Sequence, residues 1–188
     1  MTIYNNMKIE NSQKIIKYII FIIIITLLLI LKFSLKKLNT GSFQWLLLPT
    51  TLLVEIFTGN KFVYIIGKGF ISYNEIITIN KSCSGINLFI LLTFLSLYIL
   101  FNKKIKTSRQ FFLLAPYQFF AYIFTIFANA LRISFSILFE PIRLNSPILK
   151  SANNWIHQGI GSFIFLISVL IFYFLLMRGK LWIKKIFS

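Results

Sequence analysis

The sequence has little of what most soluble enzymes and secreted domains depend on. It holds one cysteine, one histidine, four prolines and four acidic side chains in 188 residues, and no alanine before Ala115. A single cysteine permits no internal disulfide, so Cys83 is a free thiol whatever compartment it faces. One histidine and one cysteine cannot build a zinc site, and no His-Glu-x-x-His pattern occurs. Neither a metal nor another cofactor is expected. A phosphate-cradling Gly-rich loop ending in Lys-Ser/Thr is absent, and so is a Gly-x-Ser-x-Gly nucleophile elbow. No repeat or low-complexity linker breaks the chain, so residues 1–188 read as a single transmembrane domain. The first apolar run lacks an alanine-type cleavage site, and it is expected to stay as a helix.

What the chain does have is apolar surface and positive charge. It is 57% hydrophobic and 18% aromatic with only 13% charged residues, more apolar surface than a soluble domain of this size can hide. Lysine and arginine total 20, for a formal charge of +16. On a soluble protein that excess would suggest nucleic acid. Here the bases cluster beside apolar runs, as cytoplasmic loops and tails do, so the bilayer is the expected partner and nucleic acid is not.

Apolar runs cover 15–31, 42–58, 84–101, 111–139 and 155–177. They predict an all-α polytopic membrane protein with about five transmembrane helices. The second run carries Pro49 and Glu55 and is borderline in length, hence tilted or partly re-entrant. Between the second and third runs, Phe62 to Ile66 and Phe70 to Ser72 flank Gly67-Lys68-Gly69. That pattern predicts a short extracytoplasmic β-hairpin-like segment near 61–81. Pro141 and Pro147 predict a loop after the fourth helix. The bases of 102–110 and of the tail after Met177 place both segments in the cytoplasm, which puts 61–81 and 140–154 outside. Lys8, Lys14 and Lys17 balance three lysines in 32–41, so the N-terminal end stays unoriented.

Three residues stand out against this background. Cys83 opens the third run in Ser82-Cys83-Ser84-Gly85-Ile86-Asn87, where a helix N-terminus would favour a thiolate. His157 opens the fifth run in Trp155-Ile156-His157-Gln158-Gly159-Ile160-Gly161, on the same face by topology. An imidazole there could activate a thiol and protonate a leaving amine. Read blandly, Cys83 is a small apolar residue and His157 an interfacial one. Arg132 lies well inside the fourth run, where an arginine costs on the order of 2–3 kcal/mol on insertion scales. Gln118, Tyr122, Thr125, Asn129, Arg132 and Ser136 recur at spacings of three and four, one polar stripe that turns inward. That stripe could also be interhelical hydrogen-bond glue. An inward guanidinium could stabilise a thiolate or an oxyanion. Asn87, Asn129 and Asn154 are candidate orienters of the imidazole, and Glu55 is a candidate partner for Arg132 or for a lysine.

Cys83-Ser84-Gly85, Asn129-Ala130-Leu131-Arg132 and the His157 segment occur in an order and spacing that resembles the exosortase and archaeosortase family of membrane transpeptidases. The resemblance covers about 42–175, as in a short, core-domain member. It implies a cysteine peptidase or transpeptidase that cleaves the C-terminal sorting signals of exported proteins at the outer face of the cytoplasmic membrane. Such signals consist of a short motif, one helix and a basic end, and the cleaved protein passes to a surface acceptor. The resemblance makes Cys83 the nucleophile, His157 the acid/base and Arg132 the stabiliser. Two other classes compete with it. A non-enzymatic scaffold or assembly factor would use the stripe for packing only. A small transporter would need a polar path reaching the cytoplasmic side.

Overall fold

The protein is seen here as a computed structural model. It describes residues 19–20, 22–30, 32–35, 37–73, 77–101, 107–145 and 153–186, with backbone alone for 107–111, 140–145, 153–158, 160 and 179–186. Lys8, Lys14, Lys17, Ile76, Lys103, Lys104, Lys106, Pro147 and part of the first apolar run lie outside the described residues.

Helices dominate. They are α1 (Ile22–Leu35), α2 (Gln44–Thr58), α3 (Ile86–Phe101), α4 (Thr107–Asn145) and α5 (Asn153–Ile186). Among the described residues, three segments are long and apolar enough to cross a membrane: Lys81–Phe101, Phe112–Phe139 and Gly161–Arg178. The expected count of five is thus not confirmed among the described residues. The second run makes only the 15-residue α2. At 1.5 Å per residue it spans about 22 Å, short of a hydrocarbon core of about 30 Å.

α2 carries Pro49 in its interior. Proline has no N–H, so the carbonyl four residues earlier, that of Trp45, loses its helical partner. The Tyr122 hydroxyl from α4 replaces it, donating to Trp45 O at 2.8 Å. The two rings also stack, with centroids 5.7 Å apart, and Phe89 of α3 meets Trp45 edge-on at 5.6 Å. A helix weakened by its own proline is thereby fixed to both long neighbours.

After α2 the chain forms a three-stranded antiparallel sheet in the order β1 (Phe62–Ile65), β2 (Gly69–Ser72), β3 (Thr78–Ile79). The expected hairpin is present, with Val63 opposite Ile71 and a third strand added. Gly69 has φ +106, and a Cβ there would lie 2.5 Å from Ile79 O, so β3 can close on β2 only against glycine. Glu55 near the end of α2 ties the helix to the sheet. Its Oε1 accepts from Phe62 N at 2.8 Å and its Oε2 lies 3.9 Å from Lys61 Nζ.

Two apolar clusters follow. One joins the sheet to the helices through Phe43, Leu47, Val54, Phe70, Ile79, Ala130 and Ile133. The other fills the space between α3, α4 and α5 with Leu88, Leu92, Leu100, Tyr117, Ala121, Phe172 and Leu176. α4 starts earlier and ends later than the prolines suggest, continuing through Pro116 and Pro141 to Asn145. The expected loop therefore does not begin at 140. Pro141 deprives a single carbonyl, that of Ile137, of its N–H partner, and membrane helices tolerate such isolated losses.

Candidate functional site

The polar stripe of α4 divides into two parts. Toward Gln118 it is glue: Thr93 Oγ1 of α3 donates to Gln118 Oε1 at 2.9 Å, and Tyr122 holds Trp45. Thr125 is fully buried and returns its hydroxyl to Ala121 O at 2.7 Å. Toward the sheet, Asn129 and Arg132 line a cavity of about 530 Å³. Its walls come from the end of α1, the turn before α3, α4 and α5.

That turn carries Cys83. Residues Lys81–Cys83 make one turn of 3-10 helix, and α3 begins only at Ile86. Asn80 organises it. Its Oδ1 accepts from Ser82 N at 3.0 Å and from Ser82 Oγ at 2.7 Å, and its carbonyl accepts from Cys83 N at 2.9 Å. The expectation that Cys83 opens α3 is corrected here. The N–H groups of Cys83 and Ser84 are already bonded to Asn80 O and Lys81 O, so the argument from a free helix N-terminus does not reach this thiol. Lys81 Nζ donates to Leu38 O at 2.7 Å and stands over the Phe43 ring, fastening the turn to the segment before α2.

Asn129 holds the same turn from the other side. It is 3% exposed, and its Nδ2 donates to Cys83 O at 2.6 Å. Gly85, at φ +72, makes this contact feasible, since a Cβ there would fall 2.9 Å from Asn129 Cγ. The Cys83 side chain is half-buried and packs against the sheet-side cluster, with Sγ 3.8 Å from Ser82 Oγ. The cavity wall is formed by its neighbours Ser82 and Ser84. Arg132 runs along α5, where a Cβ at Gly161 would meet its Cδ at 3.7 Å. It has no hydrogen-bond or ion-pair partner among the described residues. Lys32 and Lys81 also line the cavity, whereas no described acidic side chain does.

Residues 12–174 match the family model of transmembrane exosortases. The chain belongs to the transmembrane exosortase family. No curated protein and no solved structure matches it. The family match together with the apolar helices makes this exosortase a multi-pass membrane protein. The matched stretch begins well before the 42–175 core that the motifs alone suggest.

Of the residues singled out in the sequence, Asn129 and Arg132 line the cavity, and the turn that carries Cys83 borders it. Asn87, in the first turn of α3, is exposed and lines the cavity. His157 and Asn154 lie in the first turns of α5, with side chains outside the described residues. His157 precedes Gly161 by one helical turn and so shares the helix face that meets Arg132. Glu55 is not a cavity residue. It engages β1 and Lys61 rather than Arg132. Sequence reasoning missed Asn80, although an asparagine two residues before a serine is a recognisable turn signal. It also missed Lys32, for which no local pattern exists.

Proposed function

We propose that this exosortase is a membrane-embedded cysteine transpeptidase acting on the C-terminal sorting signals of exported proteins. Cys83 is the nucleophile, His157 the acid/base and Arg132 the oxyanion stabiliser. The observation that carries this reading is the hydrogen bond from Asn129 to the Cys83 carbonyl, which joins the thiol's turn to the helix that aims Arg132 into the cavity. In this reading the thiol turns from the apolar cluster toward the cavity before it reacts. His157 takes the thiol proton, sulfur attacks the scissile carbonyl carbon, and negative charge develops on oxygen beside the guanidinium. As the C–N bond breaks, His157 gives its proton to the leaving amine. The acyl group of the remaining thioester then passes to an amine of a surface acceptor, or to water, as the C–S bond breaks and the thiol is restored. The basic 103–109 segment and the basic tail support placing this chemistry at the outer face of the cytoplasmic membrane.

The scaffold reading draws on the packing of Cys83 against the cluster containing Ala130 and Ile133. It expects Cys83→Ala to keep function. The transporter reading is disfavoured, because the apolar cluster between α3, α4 and α5 plugs the bundle beyond the cavity. The test follows the release of the signal helix from a co-expressed substrate. Cys83→Ala should abolish processing while the protein accumulates normally, and Cys83→Ser should be nearly as inactive, since a hydroxyl lacks the easily formed anion. Processing at the normal rate in Cys83→Ala would refute the cysteine mechanism.

A further inference from the structure

Among the described residues, a side-chain hydrogen bond from α4 reaches the Cys83 turn at the carbonyl of Cys83 itself. From this contact we infer that Asn129 is a positioning residue for the nucleophile, a clamp that fixes the Cys83 turn against α4 rather than an orienter of the imidazole. This rests on the reading of Cys83 as nucleophile. Four features support it. The bond is short, 2.6 Å, and its donor residue is only 3% exposed, which strengthens it. Gly85 is held at φ +72 with no room for a Cβ beside the amide, so the chain gives up a side chain where one would displace the clamp. Asn129 shares one helical turn of α4 with Arg132. A single rigid element therefore sets the place of both the thiol and the guanidinium. Finally, the thiol rests half-buried against the sheet-side apolar cluster, so a fixed turn gives it a defined resting position. The amide's hydrogen bond goes to the backbone carbonyl rather than to the sulfur. Its contribution is register: with the carbonyl fixed, rotation of the thiol brings sulfur to one place relative to Arg132.

The test measures Cys83 alkylation by N-ethylmaleimide on the full-length protein in membranes, with processing measured in parallel. A half-buried thiol reacts through local opening, so its rate follows the opening equilibrium. Removing one buried hydrogen bond in Asn129→Ala should raise the alkylation rate by about fivefold to tenfold. Processing should fall by a similar factor, since a loosened nucleophile is misplaced. Thr125→Ala is the control: its hydroxyl bonds only within α4, and neither rate should move. Should Asn129→Ala accumulate poorly, Asn129→Ser carries the same test, because its shorter side chain cannot span to the Cys83 carbonyl. Unchanged alkylation in the Asn129 variant, or an equal rise in Thr125→Ala, overturns the clamp. Failure of the nucleophile reading shows up separately, as normal processing in Cys83→Ala.

Discussion

Arg132 lies seven residues before the end of the Phe112–Phe139 segment, about 10 Å inside it at the helical rise. A snorkelling side chain and a catalytic one differ in how they respond to lysine. If Arg132 were only an anchor, lysine would serve as well. If its planar fork holds a developing oxyanion, a point charge of different reach fails. Arg132→Lys is therefore expected to slow processing about a hundredfold, the usual cost of one oxyanion donor, at an unchanged protein level. The same swap at Arg143, near the end of α4, should be silent. Equal tolerance at both positions, read by release of the signal helix, would reduce Arg132 to an anchor. Cys83 and Arg132 are legible in the sequence because each is a rare type in its setting: the one thiol, and a cation deep in an apolar run. The task of Asn129 is not legible, because an asparagine on a polar stripe can face any of three neighbours. Only the fold shows that its amide meets a backbone carbonyl 46 positions away.

Among the elements, α2 shows how a local defect becomes a tertiary contact. Pro49 frees the Trp45 carbonyl, and Tyr122 takes it. A double-mutant cycle should expose the dependence. Tyr122→Phe in the native background leaves a carbonyl unpaired and should cost about 1–2 kcal/mol of stability. In a Pro49→Ala background the alanine amide can satisfy Trp45, and the loss from Tyr122→Phe should shrink to a few tenths. The cycle is read by thermal unfolding in detergent, and additive losses would show that the hydroxyl answers to something other than the proline. The hairpin was legible from Gly67-Lys68-Gly69 between alternating apolar residues, and the three C-terminal helices from length and composition alone. The 3-10 turn at Lys81–Cys83 was not, because periodicity runs smoothly from Ser84 into α3 and hides where the helix starts. Nor were the true ends of α4, since reading proline as a stop ignores how cheaply a long membrane helix absorbs one missing bond.

For the molecule as a whole, orientation is the first thing to measure. Single cysteines placed in 103–109 should label only from the cytoplasm and those in 146–152 only from outside, each in a Cys83→Ala background with an impermeant maleimide. The reverse pattern would put the cavity on the wrong side for exported substrates. The division of the bundle into a polar cavity and an apolar plug also has an electrical side. Water filling this cavity as far as Arg132 would carry the potential of its own compartment inward. The membrane voltage would then drop mainly across the apolar cluster of Leu92, Leu100, Phe172 and Leu176. A charge crossing the full voltage is worth about 2.3 kcal/mol per 100 mV, but one that forms inside the cavity crosses little of it. On the proposed mechanism, negative charge would then form beside Arg132 with little work against the cell's standing voltage, while the plug keeps the bilayer an insulator.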